Sequence, residues 1–194
     1  MRDEARKIYS IYVPLGGPVV FMAPNNFSFA FNSVSGDDFA AAIAEHNPVL
    51  AKAHPAHPGT TRLLAELAHA ALQAVALPPA TELLLYHTSP EVGLELVSHP
   101  LVGSTGFIGS RQAGLQLKAA AGRAGKPIYV EMSSINPLIF LKRALRQGGT
   151  AIADEFFALG TMGSGQFCTN SRFVFVPDTD TGQEFVAAAC QAFF

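Results

Sequence analysis

What most constrains this chain is its regular alternation of short apolar runs with longer, alanine-rich segments of helical period. Residues 19–23 form a compact apolar run between Gly16-Gly17-Pro18 and Pro24-Asn25-Asn26, which predicts a buried strand. Asp37 and Asp38 open a helix through residue 45, with its acids at the end that the helix dipole favours. Asn47-Pro48 stops that helix, and 49–53 is the next strand. Thr60 or Thr61 caps a helix to about residue 76, with Leu64, Leu67, Ala71 and Val75 on one face. Further strands are predicted at 82–86, 102–107, 128–132, 138–141 and 173–176. Helices are predicted at 91–98, from Ser110 to about 121, at 150–162 and at 183–194. This β-α-β-α order predicts an α/β fold, an open, mostly parallel twisted sheet with helices on both faces.

Composition narrows the function classes. Apolar residues make up 49% of the 194 and charged residues only 14%, which excludes a disordered polyampholyte. Thirteen Lys and Arg against fifteen Asp and Glu give a formal charge of −2, so no basic footprint for nucleic acid is expected. No apolar run approaches the ~20 residues that span a bilayer, and no membrane partner is expected. The charged start Met-Arg-Asp-Glu-Ala-Arg-Lys lacks the apolar centre of a secretory signal. Without a signal, the glycosylation-like triplet Asn26-Phe27-Ser28 is a chance match. Two cysteines are too few for a disulfide framework and fit a reducing, cytoplasmic setting. The low charge predicts that much of the surface is covered by further chain or by partners.

Several residues stand out chemically. Gly103-Ser-Thr-Gly106-Phe-Ile-Gly109-Ser110 lies where a strand passes into a helix. Its glycine spacing is not the ordinary dinucleotide fingerprint, and it reads either as tight packing or as a turn facing a phosphate. Gly125-Lys126 is not a Walker loop, because Pro127 follows and the upstream glycine is missing. His54 and His57 lack the third ligand that a zinc site needs, so no metal is expected. Most of the fifteen phenylalanines read as core, and so does Cys190 in its Ala-Ala-Ala-Cys helix. Cys168 follows Gly163-Ser-Gly165-Gln-Phe and reads either as a buried structural cysteine or as a nucleophile in a reachable loop. Glu131 ends an apolar strand, where a carboxylate is costly without a partner or a task. Asn26 offers amide donors near the sheet's carboxyl edge, where open α/β sheets bind ligands.

Gly-Gln-Phe-Cys168-Thr-Asn, Glu131-Met-Ser-Ser-Ile-Asn136-Pro137 and Pro24-Asn-Asn26-Phe27 resemble three signature segments of the aldehyde dehydrogenase superfamily, in the family's order. Lys52-Ala-His54-Pro-Ala-His-Pro-Gly59 and Gly106-Phe-Ile-Gly109-Ser110-Arg111 resemble its cofactor-binding segments. Their wording is most similar to the branch that oxidises 2-oxoglutarate semialdehyde. The resemblance implies a Rossmann-like but incomplete architecture. Residues 1–132 would belong to the dinucleotide-binding domain, and 133–194 would start the catalytic domain. It implies that Cys168 attacks the aldehyde as a thiolate, while Asn26 and the Cys168 backbone N–H hold the oxyanion. After hydride passes to nicotinamide, Glu131 activates the water that hydrolyses the thioester. Lys52 would bind the adenosine ribose, and Gly109 and Ser110 would lie along the pyrophosphate.

Departures from the family pattern carry their own expectations. Where many members have Lys-Pro-Ala-Glu, this chain has Lys52-Ala-His54-Pro55. The missing carboxylate removes repulsion against a 2′-phosphate, so NADP is expected over NAD, with His54 assisting Lys52. Ile108 replaces a common threonine, Ser28 a common proline, and Ser133-Ser134 the usual Gly-Gly. Complete members extend well beyond both ends of this stretch, so a central piece of a homo-oligomeric enzyme is expected. The alternatives are a truncated nucleotide-binding remnant or interaction subunit without turnover, and a cofactor-free thiol esterase or acyl-transferase.

Overall fold

A computed structural model describes residues 2–3, 8–9 and 14–193 of the chain. They divide into two compact units, Met1–Met132 and Ser133–Phe194. The first begins with β1 (Arg2–Asp3) and β2 (Ile8–Tyr9), an antiparallel pair with no counterpart in the sequence expectations. It continues through β3 (Val19–Met22), α1 (Asp37–Ala44), β4 (Val49–Lys52), α2 (Pro58–Ala74), β5 (Glu82–Leu85), α3 (Pro90–Ser98), β6 (Ser104–Gly109), α4 (Arg111–Arg123) and β7 (Ile128–Met132).

β3 to β7 form one parallel sheet in the order β5-β4-β3-β6-β7. The period-two alternation of a strand explains how one sheet supports two cores. Val20 and Met22 point to the face covered by α3 and α4, where they pack with Val97, Phe107, Leu117 and Ala121. Val19 points to the opposite face and packs with Ala42 of α1, Ala65 of α2, Val49 and Ala51. Helices therefore cover both faces, as the element order predicts. Ser89 caps α3 by accepting the Val92 N–H, and Ser110 caps α4 by accepting the Ala113 N–H, each at 3.3 Å. Lys126 donates to the carbonyls of Pro100 and Val102 at 2.6 and 2.8 Å, which fastens the turn entering β6.

The second unit holds β8 (Leu138–Ile139), α5 (Lys142–Thr161), β9 (Val174–Phe175) and α6 (Asp180–Phe193). β8 and β9 pair in parallel, while Leu145, Ala153, Phe185 and Ala189 join the two helices in a third core. The Phe140 and Phe185 rings meet edge-on, 4.9 Å apart.

Some local expectations differ. α2 buries Thr61, Ala65 and Leu72, whereas Leu67 and Val75 are 61% and 68% exposed. Its N-cap is His57, and the Thr61 hydroxyl donates to the His57 carbonyl from inside the first turn. α5 starts eight residues before the expected 150, across a break at Gly149 (φ 51°, ψ −135°) that separates two helical stretches. Glycine adopts that positive φ without a Cβ clash. Cys190 is exposed rather than core, and Phe29 is 78% exposed. The last residue of the expected final helix, Phe194, lies outside the described residues.

Glu82, the first residue of β5, is only 6% exposed, and neither carboxylate oxygen has a hydrogen-bond partner. Burial pushes its pKa up from 4.5 to about 7. A carboxyl raised in the folded state stabilises fully below its unfolded pKa, and that contribution is lost as pH rises through the folded value. Folding stability should therefore fall by roughly 1–2 kcal/mol between pH 4.5 and 8, after discounting the shift for partial solvent screening. Glu82→Gln should flatten that dependence in denaturant melts at pH 5 and pH 8. An unchanged slope would remove Glu82 as its source.

Candidate active site

The parallel sheet brings four strand ends to one edge. Register pairs Met22 of β3 with Lys52 of β4 and with Phe107 of β6. It pairs Ile108 with Glu131 and Gly109 with Met132 across β6 and β7. Asn26 follows β3 by four residues, Lys52 closes β4, Gly109 closes β6, and Glu131 is the penultimate residue of β7. All belong to the first unit, and all lie at its carboxyl edge. Cys168 belongs to the second unit.

The loop carrying Asn26 is tied down by buried polar residues that no sequence motif marks. Asn32 donates from Nδ2 to the Ser28 carbonyl and to Thr61 Oγ1, both at 3.1 Å. Ser33 Oγ donates to the Lys52 carbonyl at 2.7 Å and accepts the Ala23 N–H. These bonds join the half-buried Asn26 loop to the end of β4 and to the first turn of α2. Tertiary contacts alone give them this role, since isolated Asn and Ser in a loop carry no distinguishing pattern.

Lys52, His54 and His57 gather at the end of β4. Burial lowers the Lys52 pKa from its ordinary 10.5. The His54 pKa is lowered by lost hydration first, then by the positive charges of Lys52 and His57. His54 is thus neutral at pH 7, and Lys52 carries the local charge.

Gly106 and Gly109 serve packing in this fold. A Cβ at Gly106 would stand 2.6 Å from the Phe21 ring, and one at Gly109 would stand 2.7 Å from the Phe107 ring. Ser110 is exposed, with its hydroxyl oxygen engaged as the cap of α4.

A cavity of about 560 Å³ opens between α1 and the β3-β6-β7 face, walled by Phe21, Phe107, Ile108, Tyr129, Asp38 and Glu131. A second, of about 150 Å³, reaches the carboxyl ends of β3 and β6 and is also lined by Asp38 and Glu131. The Asp38 carboxyl is held above its usual range, by lost hydration first and then by the charges of Asp37 and Glu131. By sequence, Asp38 belongs only to the start of α1. Its approach to Glu131, 93 positions away in sequence, is a tertiary fact.

In the second unit, Cys168 is half-buried in the loop between a short 3-10 turn, Met162–Gly165, and β9. Gly163, Ser164 and Gly165 all have positive φ, which folds the chain back tightly before the cysteine. Asn136 donates from Nδ2 to the Cys168 carbonyl at 2.5 Å and to the Asn170 carbonyl at 3.2 Å. Among the described residues, no group of three or more His, Cys, Asp or Glu is arranged to hold a metal ion. None of the described helices is long and apolar enough to cross a membrane.

A doubly wound parallel sheet joined to a unit with a tightly turned cysteine loop defines an α/β class of protein. The profile of the aldehyde dehydrogenase family matches residues 1–193, and the chain belongs to that family. It is 43% identical over 178 residues to alpha-ketoglutaric semialdehyde dehydrogenase 2 of Azospirillum brasilense, covering 91% of this chain and 34% of the relative. It is 36% identical to the alpha-ketoglutaric semialdehyde dehydrogenase of Acinetobacter baylyi, covering 89% of this chain and 32% of that one. The chain thus spans about a third of the length of the curated relatives it matches. The crystal structure of succinate-semialdehyde dehydrogenase from Burkholderia pseudomallei shares the fold, with a TM-score of 0.73 at 21% identity, covering 94% of this chain and 35% of that one.

Proposed function

We propose that this chain carries the nucleophile, base and cofactor-contacting residues of an NADP-preferring dehydrogenase for 2-oxoglutarate semialdehyde. What supports the reading is that Asn26, Lys52, Gly109, Ser110 and Glu131 all fall at the carboxyl edge of one parallel sheet. The chain is also 43% identical to a relative named for that aldehyde. Residues 1–132 are the dinucleotide-binding part, and 133–194 open the catalytic part.

Cys168 attacks the aldehyde carbon as a thiolate, forming a carbon–sulfur bond and placing negative charge on the former carbonyl oxygen. The Asn26 amide and the Cys168 backbone N–H donate to that oxygen, where donors fixed in advance stabilise developing charge. When bound, the nicotinamide cofactor supplies the hydride acceptor for this reaction. Glu131 removes a proton from water, which attacks the Cys168 thioester, releases the acid and restores the thiol.

Lys52 and His54 hold the adenosine end of the cofactor, and Gly109 and Ser110 follow the pyrophosphate. The fit rests on Lys52 closing β4 with His54 and His57 beside it, a single ammonium charge that an anionic 2′-phosphate would neutralise. Charged hydrogen bonds are worth about 1.5–3 kcal/mol. Lys52→Ala should therefore lower kcat/KM for NADP by about 10–100-fold, and that for NAD by less. Equal losses with both cofactors would refute a 2′-phosphate contact. The reading as a whole is tested by absorbance at 340 nm with 2-oxoglutarate semialdehyde, comparing NADP with NAD at matched concentration. Equal or better turnover with NAD refutes the cofactor preference, and no aldehyde-dependent signal with either refutes the activity of this chain.

A further inference from the structure

The short 3-10 turn before Cys168 contains three consecutive positive-φ residues, Gly163, Ser164 and Gly165, and the chain from Gln166 to Arg172 has no strand or helix. Such a segment has no repeating backbone ladder to fix it, so its shape depends on individual bonds. One side chain makes two of them. Asn136 Nδ2 donates to the carbonyl of Cys168 and to the carbonyl of Asn170, two residues further on. The same residue also uses its backbone. Its N–H donates to Ser134 Oγ at 3.1 Å, and its carbonyl accepts from Ser171 Oγ at 2.7 Å. Asn136 takes φ 45°, a left-handed conformation that asparagine tolerates better than most residues. From the other side, the buried Asn170 amide donates to the carbonyls of Gly160 and Met162.

We propose that Asn136 is a positioning residue that clamps the Cys168–Asn170 backbone and thereby fixes the direction of the Cys168 thiol and N–H. The proposal rests on the reading of Cys168 as nucleophile. One amide bridging the carbonyls of residues 168 and 170 constrains the 168–169 and 170–171 peptide groups, which flank the Thr169–Asn170 peptide. Cys168 ψ cannot turn without breaking the 2.5 Å bond. A nucleophile held this way attacks along one direction, and a misplacement of about 1 Å can cost roughly 100-fold in rate.

The test uses a Cys190→Ser background, so that a single thiol reports. Iodoacetamide alkylates the thiolate by forming a sulfur–carbon bond with loss of iodide, and mass spectrometry quantifies modification at Cys168. Asn136→Gly keeps the left-handed backbone accessible and removes the amide donor. Loosening the half-buried loop should raise the alkylation rate constant about five-fold across pH 6.5–9.5. Aldehyde kcat should fall at least about ten-fold, with KM for the aldehyde within about two-fold. Asn136→Asp, which turns an acceptor toward the two carbonyls, should lose turnover to a similar extent. An alkylation profile that superimposes on the parent's overturns the clamp, whatever turnover does. Failure of the nucleophile reading appears separately, as full aldehyde turnover in Cys168→Ala. If Asn136→Gly does not fold, exchange of the Asn136 side-chain amide protons is measured by NMR in the parent protein. Protection of about ten-fold or more supports the clamp, and exchange at the free-amide rate overturns it.

Discussion

Cys168→Ala is expected to abolish aldehyde-dependent NADPH formation, by at least about 10⁴-fold in kcat, or roughly 5 kcal/mol of barrier. The size follows from covalent catalysis. Hydride leaves readily only from an electron-rich carbon, so the aldehyde must first become a thiolate adduct carrying an alkoxide. Alanine offers no atom to form that adduct, and solvent water is a poor substitute. The substitution removes one sulfur atom from a half-buried position, so the thermal midpoint should stay nearly constant. Cys190→Ser provides the control. Its thiol is exposed near the end of α6, and turnover should be unchanged. More than a tenth of wild-type kcat in Cys168→Ala would end the covalent reading. Hydrolysis of an activated ester by the wild-type protein without any cofactor would point instead to thiol-esterase chemistry.

Glu131→Gln should separate the two halves of the reaction. General-base assistance contributes about 10²–10⁴-fold, so steady-state turnover should drop by about two to four orders of magnitude. Acylation needs the thiol and its oxyanion donors rather than this carboxylate. Rapid mixing should accordingly show a burst of about one NADPH per Cys168, followed by a slow steady state. Loss of the burst along with the steady state would assign Glu131 to the first half of the reaction. Asp38 belongs beside this prediction, since it lines the same two cavities as Glu131 and its carboxyl is held up partly by the Glu131 charge.

Much of the architecture is legible in the sequence because strands and helices write their periods locally. The bounded apolar runs at β3, β4 and β7 mark strands within one residue of those observed. The start of α4 is legible too, at Gly109-Ser110, where Ser110 caps the helix; the starts of α2 and α5 are not, since α2 is entered from His57 and α5 begins at Lys142. The face of α2 is a different matter. Leu64, Leu67, Ala71 and Val75 make as regular a stripe as Thr61, Ala65, Ala68 and Leu72. Hydrophobicity favours the first, yet the structure buries most of the second, leaving Ala68 half-buried. Small side chains let the helix lie close to the sheet, and Thr61 finds its polar partner in Asn32, 29 residues away. Ile139, Phe173 and Phe175 are likewise apolar by sequence and exposed in the fold, at 68%, 48% and 53%.

The candidate site divides along the same line. Cys168, Glu131, Asn26 and Lys52 are legible as residues because their neighbours in sequence form motifs with recognisable wording. The order of elements further implies that Asn26, Lys52, Gly109 and Glu131 share one sheet edge, since parallel strands all end on the same side. Sequence alone could not show which groups change one another's chemistry. Charge and hydrogen bonds act through space, over a few ångströms, between residues far apart along the chain. The closeness of Asp38 to Glu131, the unpartnered burial of Glu82 and the hold of Asn136 on Cys168 and Asn170 are decided only when the chain is folded.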